Sequence, residues 1–269
     1  MTPDSSSWFR SISSEQWRAL VAAQLGWRVL FLLGLLPAFF TLWIRHHVRE
    51  PGIWINQSRS ESHHRHLFAW EIFRPPLIRK TTLGSIITLS VLFAYWGPFT
   101  WMPSFLARPL EQGGAALGVV KSCAWIIPMQ IGAFLGYILF GVFADKFGRR
   151  PVFLLFLVSA SLLVPVYGQL ARHELLLLGL GPLIGFFGHG YFSLFGAILS
   201  ELFPTRVRGA AQGFVYNVGR AFSALAPYTI GVLADRYGVG STLAITSAFF
   251  LVGAFLVFFL LETRAERLE

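Results

Sequence analysis

The sequence has few charged residues and almost no cysteine. Only 13% of its 269 residues are charged, and Cys123 is the single cysteine. A soluble domain carries about 25% charged residues, so a chain with this composition cannot present all of its surface to water. One cysteine excludes a disulfide within the chain, and the histidines fit no tight metal-ligand spacing. We therefore expect no metal site and no other cofactor.

The sequence also lacks the groups that an enzyme needs. It contains no recognisable catalytic triad, no phosphate-binding glycine loop and no carboxylate in the middle of an apolar run. The net charge of +9 is compatible with polyanion binding, but the basic residues are concentrated in alternate loops. We expect no catalytic residues, no enzymatic activity and no nucleic-acid partner. A membrane enzyme is the least favoured alternative.

Apolar and aromatic residues are abundant instead. The chain is 55% hydrophobic and contains 27 Phe and 9 Trp. An apolar run of about 20 residues predicts a membrane-spanning helix, because backbone groups in hydrocarbon must hydrogen-bond within the segment. Seven runs predict an all-α membrane protein with the lipid bilayer as its partner, at residues 26–44, 81–106, 117–143, 151–170, 174–200, 209–233 and 240–261. The helix of the second run, 81–106, is expected to break at Gly97-Pro98.

Basic residues are distributed unevenly between the two sides of the membrane. If the polar stretch 45–80 is cytoplasmic, its side holds fourteen Lys and Arg in loops and tail, and the other side holds five. The positive-inside rule then places the C-terminus in the cytoplasm and residue 1 outside. The expected organisation is an N-terminal tail at 1–25, a first transmembrane helix at 26–44, a cytoplasmic linker at 45–80, a six-helix half at 81–261 and a cytoplasmic tail at 262–269.

One short motif occurs twice, each time at the end of a long apolar run. Residues 141–150 read GVFADKFGRR, and residues 231–238 read GVLADRYG. Each copy closes the middle helix of a triplet, and three helices reverse the direction of the chain across the membrane. The two triplets are therefore predicted to form an inverted repeat, with Asp145 inside and Asp235 outside. The positive-inside rule also explains why only the first copy has an arginine pair.

The first copy has the features of a tight cytoplasmic turn. Gly141 is expected to let the helix end approach a neighbour closely, and Gly148 permits the turn itself. Asp145 is expected to accept hydrogen bonds from the free N–H groups at the start of the next helix. Arg149 and Arg150 are expected at the cytoplasmic headgroups. A simple charged turn is the alternative.

These residues carry a resemblance to a known family. GVFADKFGRR is similar to the loop signature of the major facilitator superfamily, found between its helices two and three and again between helices eight and nine. The chain resembles in particular the metabolite–proton symporter and sugar-porter-like branches, although Leu261 stands where the family has a proline. Further segments that resemble the family, in its order, are Arg49-Glu50-Pro51 with Trp54, residues 201–209, Asn217 to Arg220 with Pro227, and Glu262-Thr263-Arg264.

The resemblance implies a fold and a function. The seven runs correspond to helices six to twelve, a six-helix half plus one preceding helix, and helices one to five have no counterpart in this chain. The implied function is secondary active transport of a small polar metabolite, an organic anion or a sugar-like compound, coupled to protons and working by alternating access in the inner or plasma membrane. The implied partners are the substrate, protons, and a missing N-terminal half or a second copy.

The alternative belongs to another class. The chain is then a truncated fragment that does not transport, or a half-protein that acts by association with another membrane protein.

Polar side chains at mid-depth form a candidate substrate-binding site. A charged group in hydrocarbon is costly, about 2.5–3.5 kcal/mol for a central Arg, so it usually faces a cavity. The candidates are Tyr95, Gln130, His189, Asn217 and Arg220. Arg220 would supply a positive charge for a carboxylate, and the imidazole of His189 can change charge near neutral pH and couple transport to protons. Alternatively, Arg220 pairs with helix-end carbonyls and His189 is a packing group.

Charged residues at the cytoplasmic helix ends form a candidate gate. Glu201 is expected to pair with Arg149 or Arg150 and so to tie the loop 144–150 to another helix end. Such a pair can rearrange between states, and as an exposed pair it would contribute about 0–1 kcal/mol. Arg208, in the family-like segment after Glu201, completes the predicted gating residues together with the signature motif.

Overall fold

The computed structural model of the chain describes Arg28, residues 31–48 and residues 68–259. The expected N- and C-terminal tails and most of the linker 45–80 lie outside these residues. The two family-like segments that fall in the linker and in the C-terminal tail lie outside them as well.

The chain divides into two units, Met1–His63 and His64–Glu269. In the first unit, helix α1 spans Leu36–His47, with Pro37 in its first turn, where a missing backbone N–H costs no hydrogen bond. None of the residues of α1 is buried within the unit. This helix overlaps the predicted first span at 26–44.

Every described element of the second unit is helical. The long helices coincide with the apolar runs, because a helix satisfies its own backbone groups without water. A short 3-10 helix at Leu110–Gln112 connects the first two long helices. The α-helices are α2 (Phe68–Glu71), α3 (Leu77–Ala107), α4 (Val119–Phe147), α5 (Arg149–Gln169), α6 (Glu174–Gly190), α7 (Phe192–Glu201), α8 (Arg208–Ser223), α9 (Leu225–Tyr237) and α10 (Val239–Val257).

Among the described residues, five helical stretches are long and apolar enough to cross a membrane: α3, α4, α5, the consecutive α6 and α7, and α10. A single turn residue, Tyr191, separates α6 from α7. The sixth expected span, 209–233, is divided at Ala224 into α8 and α9. Together with α1, these helices account for the predicted arrangement of about seven helices. The prediction of an all-α membrane protein is confirmed.

The break expected at Gly97-Pro98 is wrong. Helix α3 continues through Pro98 and Pro103 and ends at Ala107. A proline removes one backbone hydrogen bond, but a membrane helix packed among neighbours tolerates this loss. Gly97 is buried, and a Cβ added there would lie 3.3 Å from the Ile230 side chain of α9. This close packing against α9 stabilises the continuous helix α3 at the position where a break was predicted.

The helices pack in pairs that repeat the internal symmetry of the sequence. Helix α4 packs against α6, and the equivalent pair in the other triplet is α8 with α3. Helix α3 also packs against α10, and its equivalent is α6 with α5. Helices α5 and α10, which are equivalent to each other, pack together as well. Exchanging the two triplets therefore converts each of the first four contacts into another observed contact and leaves the α5–α10 contact unchanged, as an inverted repeat requires.

The two motif copies form the same backbone turn. Gly148 joins α4 to α5 with φ 100° and ψ 150°, and Gly238 joins α9 to α10 with φ 76° and ψ 156°. Only glycine adopts this region readily, because any Cβ would clash with the backbone. Each glycine donates its N–H to a carbonyl oxygen four residues earlier, that of Ala144 at 3.0 Å or Ala234 at 2.9 Å. Gly148 thus forms the tight turn expected of it.

Two details of the first motif copy differ from expectation. Among the described residues, no side chain caps the start of α5, whose N-cap residue is Gly148, so Asp145 does not accept the N–H bonds assigned to it. The reason is that α4 remains helical past Asp145, whose side chain is exposed in the last turn. Gly141 makes no close approach within the described part of the chain, since nothing lies within 4 Å of a Cβ added there.

Glycines bring α4 and α6 into direct backbone contact. A Cβ added to Gly132 would lie 1.9 Å from the carbonyl oxygen of Pro182, and one added to Gly185 would lie 1.9 Å from that of Met129. In a membrane, where lipid is as apolar as leucine, helices associate through such small residues. No larger side chain fits at either glycine without moving the helices apart.

The inverted repeat predicts that equivalent positions of the two motif copies lie on opposite sides of the membrane. Lys146 and Arg236 both follow the motif aspartate, and both are exposed. In a Cys123→Ser background, Lys146→Cys and Arg236→Cys form a matched pair. A membrane-impermeant maleimide added to intact cells should label one of the two, and both after permeabilisation. Labelling of both in intact cells would contradict the inversion.

Candidate functional site

Three of the five predicted binding residues line one cavity, cavity A, with a volume of about 240 Å³. They are Tyr95 of α3, Gln130 of α4 and His189 of α6. These residues are far apart in sequence, so only the packing of three helices brings them together. The apolar part of the wall includes Trp96, Phe99, Met102 and Met129.

His189 is held inside an aromatic cluster, with 7% of its surface exposed. Its ring is T-shaped to Phe99, with the centroids 4.2 Å apart, and to Tyr95 at 5.0 Å. Tyr95 also contacts Phe99 at 5.0 Å and Phe192 at 4.8 Å. Because such aromatic contacts, most of them edge-to-face here, are favourable, the cluster fixes the orientation of both polar rings at the cavity wall.

The other two predicted residues do not line cavity A. Asn217 and Arg220 are exposed residues of α8, and the side-chain amide of Asn217 donates to the Gly213 carbonyl oxygen at 2.7 Å. The buried face of α8 contains Gly219, where an added Cβ would lie 2.5 Å from the Thr88 side chain of α3. Asn217 and Arg220 lie outside that buried face, and the packing of α8 against α3 leaves them exposed.

A second cavity, cavity B, has a volume of about 400 Å³ and shares Tyr95 and Trp96 with cavity A. Tyr137 of α4 and Tyr216 of α8 contribute two further phenols to it. The rest of its wall consists of Leu92, Phe192, Phe195 and Gly196.

Neither of these tyrosines is among the binding residues predicted from the sequence. Tyr137 follows Gln130 by seven residues, which is two helical turns and therefore the same side of α4. That spacing could have predicted that Tyr137 lines a cavity on the same side of α4 as Gln130. Tyr216 directly precedes Asn217, and no periodicity in the sequence distinguishes which of the two faces a cavity.

The two cavities follow one another along the helices. On α3, Tyr95 and Trp96 line both cavities, residues from Phe99 on line cavity A alone, and Leu92 lines cavity B alone. On α4, Gln130 lines cavity A and Tyr137 lines cavity B. Since α3 and α4 run in opposite directions, both helices place cavity B nearer the GVFADKFGRR turn. Tyr95, which lines both cavities, lies between them.

The walls are suited to binding a small polar molecule. Their polar groups include the phenols of Tyr95, Tyr137 and Tyr216, the amide of Gln130 and the imidazole of His189. Such groups donate and accept hydrogen bonds, and the aromatic faces around them stack on planar ligands. No group of side chains in the described residues is arranged to hold a metal ion.

The charged residues of the motif turn connect the ends of three helices. Arg149 at the start of α5 forms an ion pair with Glu201 at the end of α7, and 22% and 12% of these side chains are exposed. This is one of the two pairings expected from the sequence. Arg208 donates from Nε to a main-chain oxygen in the last turn of α7 at 2.8 Å. The guanidinium of Arg150 lies 4.4 Å from the ring centroid of Phe258, beyond α10.

Comparison with known proteins shows what this chain is similar to. Residues 123–269, more than half of the chain, match the Major Facilitator Superfamily. A protein of Haemophilus influenzae described as a metabolite transport protein is 31% identical over 93% of this chain and 62% of its own length. A cis,cis-muconate transport protein of Acinetobacter baylyi is 29% identical over 90% of this chain and 58% of its own length.

A sialic acid transporter of Escherichia coli is 28% identical over 84% of this chain and 53% of its own length. The chain thus spans between about half and three fifths of the relatives it matches. The family match and the apolar helices agree with the resemblance in the signature motif. The chain belongs to the major facilitator superfamily, a family of transporters rather than enzymes, and is an integral, multi-pass membrane protein.

Proposed function

We propose that this chain forms the C-terminal part of a secondary transporter that moves a small organic anion across the cell membrane. The observation that carries the proposal is the convergence of Tyr95, Gln130 and His189 on cavity A. A sugar-like metabolite, the other substrate class indicated by the resemblance, is less favoured. The names of two relatives, a cis,cis-muconate transport protein and a sialic acid transporter, point to acids.

Alternating access requires a contact that opens and closes on one side of the site. The Arg149–Glu201 pair is suited to this task, because it joins α5 to α7 at the membrane end nearer to cavity B. Ion pairs can exchange partners when helices move, whereas packed cores resist gradual deformation. We assign this end to the cytoplasm because the arginine pair lies there. The maleimide experiment with Lys146→Cys tests that assignment.

Proton coupling is proposed to act through His189. Its imidazole is the group in cavity A that changes charge nearest to neutral pH, and no carboxylate lines the cavity in the part of the chain that the structure describes. A carboxylate bound beside the ring would attract a proton to it. Substrate and proton would then bind together.

A second candidate is a truncated fragment that does not transport, or a half-protein that acts only by association with another membrane protein. The chain spans 62% of the metabolite transport protein and 58% of the muconate transport protein. Uptake assays with and without a co-expressed N-terminal half separate the two candidates.

Removal of the Gln130 amide should weaken anion binding. In the purified chain in lipid nanodiscs, Gln130→Ala should lower the affinity for cis,cis-muconate on the order of 3- to 10-fold, the effect of one lost hydrogen bond. Gln169→Ala, which changes an exposed glutamine at the end of α5, is the control. Isothermal titration calorimetry measures both, and equal affinities would remove Gln130 from the site.

Binding of the anion should take up a proton at His189. Titrations in two buffers of different ionisation enthalpy report the number of protons taken up with cis,cis-muconate. His189→Gln should abolish this uptake, whereas His173→Gln, at an exposed position just before α6, should preserve it. Proton uptake that persists in His189→Gln would assign coupling to another group.

Charge reversal at the gate should slow transport. Glu201→Arg places like charges together, and uptake of cis,cis-muconate should fall on the order of 10-fold at equal protein levels in the membrane. The double variant Arg149→Glu/Glu201→Arg should recover part of the rate. Glu174→Arg is the matched control, because its pair with Lys121 at 2.5 Å is more exposed. Unchanged uptake in Glu201→Arg would mean that the pair does not gate.

A further inference from the structure

We propose that cavity B is a second binding subsite, which holds the carboxylate of a small organic anion through phenol hydroxyls and Arg220. This proposal rests on the transport function proposed above and adds a second binding site on the path of the substrate. The anion occupies cavity A, with Gln130 and His189, and then cavity B, which lies nearer the motif turn.

Phenol hydroxyls from three helices surround cavity B. Tyr95 belongs to α3, Tyr137 to α4 and Tyr216 to α8. Each hydroxyl can donate a hydrogen bond to a carboxylate, and no acidic side chain of the described residues lines the cavity to compete for these donors. The volume of about 400 Å³ is within the range of about 300–1,000 Å³ typical of small-molecule pockets.

Arg220 supplies a positive charge near cavity B, although it is not one of the residues that line the cavity. It follows Tyr216 by four residues, and residues four apart lie on the same side of a helix. Gly219 places Arg220 about one helical turn from the wall of cavity B, because a Cβ added to Gly219 would lie 2.5 Å from Thr88, one turn before Leu92. Arg220 is exposed and forms none of the ion pairs found between described residues.

An arginine side chain at this depth costs free energy unless it faces a water-filled cavity, or a neighbouring group or a ligand compensates its charge. A bound carboxylate would compensate the charge of Arg220 and accept hydrogen bonds from Tyr137 and Tyr216. A neutral sugar would leave the charge uncompensated. The aromatic walls, Phe192 and Phe195 among them, favour a flat carbon skeleton behind the carboxylate.

Tyr95 separates the two subsites. Its ring contacts Phe99 in the wall of cavity A at 5.0 Å and Phe192 in the wall of cavity B at 4.8 Å. A ligand that moves from cavity A to cavity B therefore passes the ring of Tyr95. The two subsites should be occupied as separate binding events.

Titration of the full chain in lipid nanodiscs with cis,cis-muconate tests the proposal. The unaltered chain should show two binding events. Tyr137→Phe and Tyr216→Phe, which each remove one hydroxyl, should weaken one event on the order of 10-fold, and Arg220→Gln should weaken the same event 10- to 100-fold. The controls are Tyr228→Phe and Arg236→Gln, at exposed positions of α9, and they should leave both events unchanged.

The outcomes separate this proposal from the proposed function. If Gln130→Ala weakens binding while Tyr216→Phe and Arg220→Gln do not, cavity B is not a subsite and the proposed function stands. A single event weakened by all of these variants would show one continuous site and overturn the separate subsite. Glucose binding as tight as that of muconate would overturn the anion assignment. Absence of muconate binding to the unaltered chain would overturn both proposals.

Discussion

The arrangement of the candidate site depends on direct backbone contact between helices at glycines. Gly132 of α4 meets the backbone of α6 at Pro182, and Gly185 of α6 meets that of α4 at Met129. Gln130 lies two residues before one of these glycines and His189 four residues after the other, so the contact sets their separation. A larger side chain at either position would push the helices apart and widen cavity A.

A glycine contact also joins α3 and α8, the helix pair related to α4 and α6 by the internal repeat. Gly219 of α8 lies against Thr88 of α3, which brings Tyr216 to the cavity that Tyr95 also lines. One cavity is thus bounded by the α4–α6 contact and the other by its counterpart, α3–α8. An internal repeat places two similar contacts in one bundle, and each contact brings polar side chains from different helices together.

The two ends of the bundle are tied in different ways. At one end, Arg149 and Glu201 form an ion pair between the motif turn and the end of α7. At the equivalent place of the other triplet, the Gly240 N–H donates to the Gly113 carbonyl oxygen at 3.1 Å. A side-chain ion pair can change partners without moving the backbone, whereas a main-chain hydrogen bond requires the chain itself to move. The difference makes the ionic end the better candidate for a gate.

Much of the fold could be predicted from the sequence, because membrane helices and motif turns depend on local properties. Apolar runs, the recurring motif and the glycine at its end determined the helical class, the approximate spans, the inverted repeat and the turn at Gly148. Tertiary structure decided the rest. It kept α3 continuous at Pro98, moved the helix breaks to Tyr191 and Ala224, and left Arg220 outside cavity A. Which face of a helix meets a cavity depends on how its neighbours pack, and polar residues at equal depth do not carry that information.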